Sequence, residues 1–409
     1  MQEVSRYAVG LDIGSTKVRA VVAHIDSTTG VPSIVGLGEA DNTGMRKGVI
    51  VNLQGPAQAI DQALGDAERM SGYQVNGATM SVSGAHILTT RADGMVAVGS
   101  PDHEITHDDL ARIDEVATMG KVPANRDILE VIPHAYKLDG QDNIKDPLGM
   151  TGIRLEMDAH VVSALTPYLV NVQKTAELAK VEPRAIIAAP IAAGRAVLNE
   201  KQLENGVAVV DLGGATTSVA VYEEGDLQYV GIIPIGGSHV TNDLAIGLKT
   251  DPEIAEKVKC EHASATVRRE HSGVSIKHDG EIFSFTSADI DDIVEARLEE
   301  IFESVQHELK KAGYAGKLPS GVVLTGGGAQ LKNIAEFVKD FLGLAVKVGK
   351  PAINSAVADG IEPSSFATAI GLMQIDAEGA GPKDDGKRKK ISSRGVKEKA
   401  SRAFSWLKP

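Results

Sequence analysis

Two stretches about half a chain apart share one design, and this duplication limits the possible folds more than any other feature. The first is the apolar run Tyr7-Ala-Val-Gly-Leu, then Asp12, the turn Ile-Gly-Ser-Thr-Lys17, and a second apolar run from Val18 to Ala23. The second is Val207-Ala-Val-Val, then Asp211, the turn Leu-Gly-Gly-Ala-Thr-Thr217, and a run from Val219 to Tyr222. Each reads as two strands joined by a turn whose glycines let backbone approach a ligand and whose Ser and Thr offer hydroxyls. A single Gly-Gly turn is weak evidence, since many strand connections contain one. Two such turns facing each other can wrap a pair of phosphates between Gly14, Ser15, Thr16 and Lys17 on one side and Gly213, Gly214, Thr216 and Thr217 on the other. Asp12 and Asp211 would then hold Mg2+ through water.

Two further glycine sites follow. Gly236-Gly237-Ser-His-Val-Thr-Asn-Asp ends a strand and starts a helix, a favourable place for backbone N–H groups to meet an anion or a ribose. The strand Gly321 to Thr325 runs into Gly326, Gly327 and Gly328 ahead of a helix expected over 331–342, leaving space for a flat base and its sugar.

The rest of the chain sorts around these turns. A first half is expected over 1–83 and 164–205, with a helix over 53–70 and no room for an insertion between residues 24 and 52. Residues 84–163 read as a separate small α+β module, with strands at 86–91, 94–98, 127–138 and 153–163 around one helix opened by Thr106. Its histidines, His103, His107, His134 and His160, lack metal-ligand spacing and read as structural. The second half is expected over 206–240 and 313–376, with an outer part over 241–312 that ends in a long helix over 287–311 and a last helix over 364–375.

Composition narrows the class. With 43% hydrophobic positions but only 4% aromatics, the cores should be large and aliphatic. The single cysteine, Cys260, excludes an internal disulfide framework and fits a reducing compartment. The polar start Met1-Gln-Glu-Val-Ser-Arg leads straight into a strand, so no signal peptide is expected, and the longest apolar run, Ala185 to Ala193, is too short to span a bilayer.

Charge is uneven. Residues 387–409 hold nine Lys and Arg against one Glu, a charge of +8, so a net charge of −13 leaves −21 on the remainder. The acidic body disfavours nucleic acid, while the tail seeks an anionic partner. After a linker expected over 377–394, residues 395–409 read as an amphipathic helix: Val396, Ala400, Ala403 and Leu407 share one line, Phe404 and Trp406 flank it, and Lys397, Lys399 and Arg402 supply cationic charge. That pattern fits a helix lying in the interface of an anionic membrane. One short copy binds weakly, so assembly of the body would turn weak anchoring into stable recruitment.

In order, Leu11-Asp-Ile-Gly-Ser-Thr-Lys17, Val210-Asp-Leu-Gly-Gly-Ala-Thr-Thr217 and Leu324-Thr-Gly-Gly-Gly-Ala329 resemble the two phosphate motifs and the adenosine motif of the actin, hexokinase and Hsp70 ATPase superfamily. Ile186 to Gly194 and Phe366-Ala-Thr-Ala-Ile-Gly371 look like its two connecting helices, and Glu256 and Lys259 match the spacing at which relatives bind ribose and adenine. The module after residue 83, the absence of an earlier insertion and the basic amphipathic tail resemble the bacterial FtsA cell-division family.

That resemblance implies an α/β, two-lobed actin-like fold of duplicated RNase H-like lobes that binds ATP and Mg2+. It further implies self-assembly on the inner face of the cytoplasmic membrane at the division site. There the chain would tether FtsZ, mainly through 241–312, while the module would serve self-contact and signalling to later division proteins. Ala185 to Ala193 carries no Gln, Glu or Asp to orient a nucleophile, so binding is expected over turnover, at most a slow ATPase. A pilus-assembly adaptor of the PilM type and a small-molecule kinase of the same superfamily are the alternatives, and neither gives the tail a role.

Overall fold

In a computed structural model of the chain, which describes residues 6–266, 272–351 and 362–379, the two hairpins lie at the centres of two five-stranded sheets. β1 (Arg6–Ile13) and β2 (Lys17–Ile25) pair antiparallel with Asp12 opposite Arg19. β3 (Pro32–Asp41) extends the sheet and the small hairpin β4 (Met45–Arg46) and β5 (Val49–Ile50) follows. α1 (Gln54–Ser71) then buries Ala57, Ile60, Leu64 and Ala67, a stripe at the 3.6-residue helical period. β6 (Gly77–Val82) runs parallel to β1.

The segment after β6 forms its own four-stranded sheet. β7 (Leu88–Ala97), α2 (His107–Thr118), β8 (Arg126–Leu138), β9 (Gln141–Ile144) and β10 (Arg154–Leu165) give the order β7-β10-β8-β9, with a core around Ile105, Ile113, Leu155, Met157 and Val161. The two strands expected at 86–91 and 94–98 are one. Gly94 does not break the strand but admits α2, because a Cβ there would meet the Ala117 N and Ile113 carbonyl oxygen at 3.0 Å.

α3 (Thr166–Leu178) and β11 (Glu182–Ala188) complete the first sheet in the order β11-β6-β1-β2-β3. α4 (Ala189–Val197), with Pro190 in its first turn, and α5 (Glu200–Asn205) lead to the second lobe.

There β12 (Val207–Leu212), β13 (Thr217–Glu223) and β14 (Asp226–Ile233) are followed by α6 (Gly237–Gly247), α7 (Pro252–His262), the hairpin β15 (Gly273–His278) and β16 (Glu281–Thr286), and α8 (Ser287–Ala312). α8 buries Ile290, Val294, Leu298, Ile301, Phe302, Val305 and Leu309, so its apolar stripe is core. β17 (Val322–Thr325), a 3-10 turn Gly327–Gln330, α9 (Ile334–Leu342) and β18 (Val346–Val348) close a sheet ordered β14-β13-β12-β17-β18.

The expected helix over 331–342 starts only at Ile334. Lys332 is held in a bridge to Ser264, and Asn333 sits in the left-handed region at φ 62. The last helix likewise begins as a 3-10 turn, Pro363–Phe366, whose Ser364 carbonyl accepts from Gly326 N at 3.0 Å, before α10 (Ala367–Gly379). α10 runs through the start of the expected linker at 377. The rest of that linker and the amphipathic helix at 395–409 lie outside the described residues.

α10 follows the second lobe in sequence but rests on the sheet of the first. Gly10 lets it down onto β1, since a Cβ there would fall 2.0 Å from the Ala369 carbonyl oxygen. Asp376 accepts from Val9 N at 2.8 Å and from Thr79 Oγ1 at 2.9 Å, and it pairs with Arg184. α10 also crosses α4 at Gly371, where a Cβ would sit 1.8 Å from the Ala192 carbonyl oxygen. The small side chains of Ala192, Ala193 and Gly371 thus allow the two connecting helices to pack backbone to backbone between the lobes. The two-lobed α/β fold with a small inserted α+β module is the one the family resemblance implied, and its two halves are those the duplicated hairpins suggested.

Candidate functional site

The Asp12 and Asp211 carboxylates end matching strands of the two sheets, each one residue from the turn. Ser81 Oγ on β6 donates to Asp12 Oδ1 at 2.8 Å and accepts from Ile13 N at 2.8 Å, which fixes the strand end and the carboxylate together. Burial pushes Asp12 above the usual carboxylate range against the pull of Ser81 and Arg19. Burial and then the charge of Asp12 push Asp211 up to about 6, with Arg19, Thr325 and Thr368 opposing. Two partly buried carboxylates that repel one another form a donor set relieved by a hard divalent cation. Among the described residues no group of three or more His, Cys, Asp or Glu could hold a metal.

The turns meet across the cleft. A Cβ on Gly214 would fall 2.5 Å from Thr16 Oγ1, so the second turn lies against the first. Gly213 N donates to the Thr216 carbonyl at 3.0 Å, closing its turn. Gly14 is held by Asn42 Nδ2, which donates to its carbonyl at 2.6 Å, and Ser15 Oγ accepts from Gly48 N at 3.2 Å. Asn42, Gly48, Ser81 and Arg19 were not singled out in the sequence. Their role depends on β3, the small hairpin and β6 coming back to the turn, and no local signal announces that.

Two expected ligands are turned elsewhere. Lys17 Nζ bonds Glu39 Oε1 at 2.5 Å and lies 3.6 Å from Asp41 Oδ1, so its charge is drawn to β3. Thr217 Oγ1 donates to the Ile235 carbonyl at 2.8 Å inside the sheet and is fully buried. Thr216 and Ser15 remain at the turns.

The second glycine site joins the phosphate side of the cleft. Gly237 N donates to the Gly213 carbonyl at 2.9 Å and Ser238 N to the Gly214 carbonyl at 2.7 Å. A Cβ on Gly236 would lie 2.5 Å from the Gly213 carbonyl oxygen, so only glycine admits this contact. Glu256 and Lys259, a turn apart on α7, pair at 2.6 Å, and Lys259 Nζ also donates to the Gly237 carbonyl at 3.2 Å. Gly326 adopts φ 82, and a Cβ there would lie 2.3 Å from Asp211 Oδ1, while one on Gly328 would meet Leu212. Gly327 has open space around it. The structure therefore brings Asp12, Asp211, the two turns, Gly236–Gly237, Glu256, Lys259 and Gly326–Gly328 together where the two hairpins meet.

These features define a two-lobed protein of the actin-like ATPase fold, and comparison with known proteins narrows the class. The chain belongs to the FtsA cell-division family. Residues 208–371 match the family described as cell division protein FtsA, and residues 84–163 match the SHS2 domain inserted in FtsA. It is 33% identical over 369 residues to cell division protein FtsA of Pseudomonas aeruginosa, covering 89% of this chain and 88% of that one. It is 35% identical over 379 residues to FtsA of Neisseria meningitidis serogroup B, covering 91% of both. Among solved structures it is similar to the PilM-PilN type IV pilus biogenesis complex, with TM-score 0.67, 18% identity, and coverage of 91% of this chain and 98% of that one. It is also similar to MreB5 of Spiroplasma citri bound to ADP, with TM-score 0.53, 16% identity, and coverage of 90% and 94%. At those identities the likeness to solved structures is one of fold alone. Among the described residues no helix is long and apolar enough to cross a membrane.

Proposed function

We propose that this chain binds Mg-ATP in the cleft between its lobes and uses it to set its own assembly on the inner face of the cytoplasmic membrane, where it anchors FtsZ at the division site. The observation that carries the nucleotide reading is the pair of repelling carboxylates, Asp12 and Asp211, at the roots of two touching glycine turns. Mg2+ would neutralise that pair and bind the terminal phosphates. Backbone N–H groups of Gly14, Ser15, Thr16 and Gly214 and the Thr216 hydroxyl supply the phosphate cradle, Gly213 shaping its turn through its own bond to the Thr216 carbonyl, with Glu256, Lys259, Gly236–Gly237 and Gly326–Gly328 around the adenosine. α4, which leaves β11 at the cleft, carries no acid or amide side chain over Ala189–Val197, so bound nucleotide acts through lobe closure more than through fast hydrolysis. MreB5, of the same fold, has been solved bound to ADP, which supports a nucleotide in this cleft.

Assembly and anchoring rest on the family and on the tail. The surface of α6 to α8 is the proposed contact for FtsZ, and the 84–163 module serves self-contact and later division proteins. The basic amphipathic segment with Val396, Lys397, Lys399, Arg402, Phe404, Trp406 and Leu407 binds anionic lipid. Co-sedimentation with anionic liposomes, with and without Mg-ATP and FtsZ, tests the whole reading. The full chain should pellet more strongly with Mg-ATP and carry FtsZ down, while a Trp406→Glu variant stays in solution. A variant that pellets as well as the unmodified chain sinks the anchor.

A further inference from the structure

We infer that Thr241, a residue that touches neither turn, is a positioning residue that joins the phosphate side of the cleft to its sugar side and sets the preference for ribose over deoxyribose. The inference rests on the nucleotide reading above. Thr241 lies on α6 one turn beyond Gly237 and is 7% exposed. Its hydroxyl donates to Glu256 Oε2 and accepts from Lys259 Nζ at 2.9 Å. The Gly237 carbonyl lies 3.2 Å from the same hydroxyl and also accepts from Lys259 Nζ at 3.2 Å, while Gly237 N donates to the Gly213 carbonyl in the second phosphate turn. One buried hydroxyl thus sits at the node of an unbroken path from Gly213 through Gly237 to Glu256 and Lys259.

Its chemistry suits that task. A hydroxyl can donate once and accept twice, so it satisfies an anion and a cation at the same point, which a methyl group cannot do. With Oε2 held by Thr241 and Lys259, the remaining carboxylate oxygen, Oε1, has among the described residues only a weak contact from Cys260 Sγ at 3.6 Å. Oε1 is then the acceptor left for a sugar hydroxyl. A valine, of nearly the same shape, would leave the helix packing and the direct bonds of Lys259 to Glu256 and to the Gly237 carbonyl in place, but would remove the hydroxyl from Glu256 Oε2 and so loosen the carboxylate. A fixed acceptor rewards a second sugar hydroxyl, and a mobile one rewards it far less.

Equilibrium titration of the full chain with Mg-ATP and with Mg-2′-deoxyATP tests this, using the unmodified protein, Thr241→Val, Thr241→Ala and Thr241→Ser. Thr241→Val should weaken ATP about tenfold, as expected for losing a hydrogen bond to a charged group, and bring the two nucleotides to nearly equal affinity. Thr241→Ser, which keeps the hydroxyl, should retain both the affinity and the preference. Thr241→Ala reads the same loss if valine does not fold. A ratio of the two affinities that stays at the unmodified value in the valine or alanine variant overturns the inference, as does a serine variant that behaves like valine. If the unmodified chain takes up neither nucleotide, the nucleotide reading itself fails. Uptake with an unchanged ratio in the variants sinks only the role of Thr241.

Discussion

At the scale of single residues, the cleft is organised by an electrostatic conflict. Asp211 is pushed up to about 6 by burial and by Asp12, so at neutral pH the fold without ligand holds two charges it would rather separate. Asp211→Asn removes one of them. It should raise the melting temperature of the ligand-free protein at pH 7.5 and weaken Mg-nucleotide binding at least tenfold, read by thermal melts and by titration. A variant that melts earlier and binds as before would show that the pair is not strained. The sequence made this pair legible because each Asp precedes a glycine turn between two apolar runs, a pattern with few other uses. The direction of individual side chains was not legible. Lys17 points along β2 toward Glu39 and Asp41, and the Thr217 hydroxyl caps the Ile235 carbonyl, because strand register sends alternate side chains to different partners. Register with a strand 20 or more residues away is invisible in the motif itself.

Among the elements, the joint between the lobes is the crossing of α4 and α10, where Gly371 replaces side-chain packing by backbone contact. Gly371→Ala would drive a methyl into the Ala192 carbonyl and should cost about 1–3 kcal/mol by overpacking, seen as a lower unfolding midpoint in urea. A midpoint that does not move would mean that the helices slide freely at this point. In the inserted module, Thr106 caps α2 in a reciprocal box with Asp109, which accepts from Thr106 N at 2.9 Å, while Asp109 N donates back to Thr106 Oγ1 at 3.4 Å. Thr106→Ala should therefore cost about 1 kcal/mol, with faster amide exchange confined to the first turn of α2. Helices with caps and stripes were readable in advance: α1 and α8 lie within a residue of their expected bounds, and α2 opens at its expected cap, Thr106. The misread elements contain glycines serving a tertiary neighbour. Gly94 admits α2 rather than making a turn, and Gly326–Gly328 lead into a 3-10 turn tied to Ser364 rather than into a helix.

Across the whole molecule, the inserted module belongs to the first lobe by chain order but is latched to the second. The edge strand β14 takes Thr89 Oγ1 at Val230 N, 2.9 Å, and Lys145 of the module pairs with Asp226 at 2.8 Å. A cavity of about 560 Å3 runs beside this junction, between Leu88 on β7, Tyr229 to Pro234 around β14, and Glu303 to Lys311 on α8. No local pattern foretold the docking, because it joins residues 89 and 145 to 226 and 230. Within the latch, the rings of His134 and His160 touch edge to face, with Gln228 Nε2 3.4 Å and Asp226 3.9 Å from His134 and the charges of Lys145 and Arg91 nearby. Burial, then the charges of His160, Lys145 and Arg91, push His134 down to about 3, and burial and Arg91 lower His160. A histidine whose pKa is depressed in the fold binds its proton more tightly once released, so stability holds above about 6.5 and falls as pH drops below it. At pH 5 the loss from His134 alone should be about 2 kcal/mol. Urea unfolding at pH 7.5 and pH 5 should show a drop about 2 kcal/mol smaller in His134→Gln than in the unmodified chain, since buried His86, pushed down to about 4, loses stability over the same range in both, with amide exchange at Val230 rising first in the unmodified chain. An equal drop in both proteins would place the acid sensitivity elsewhere in the fold.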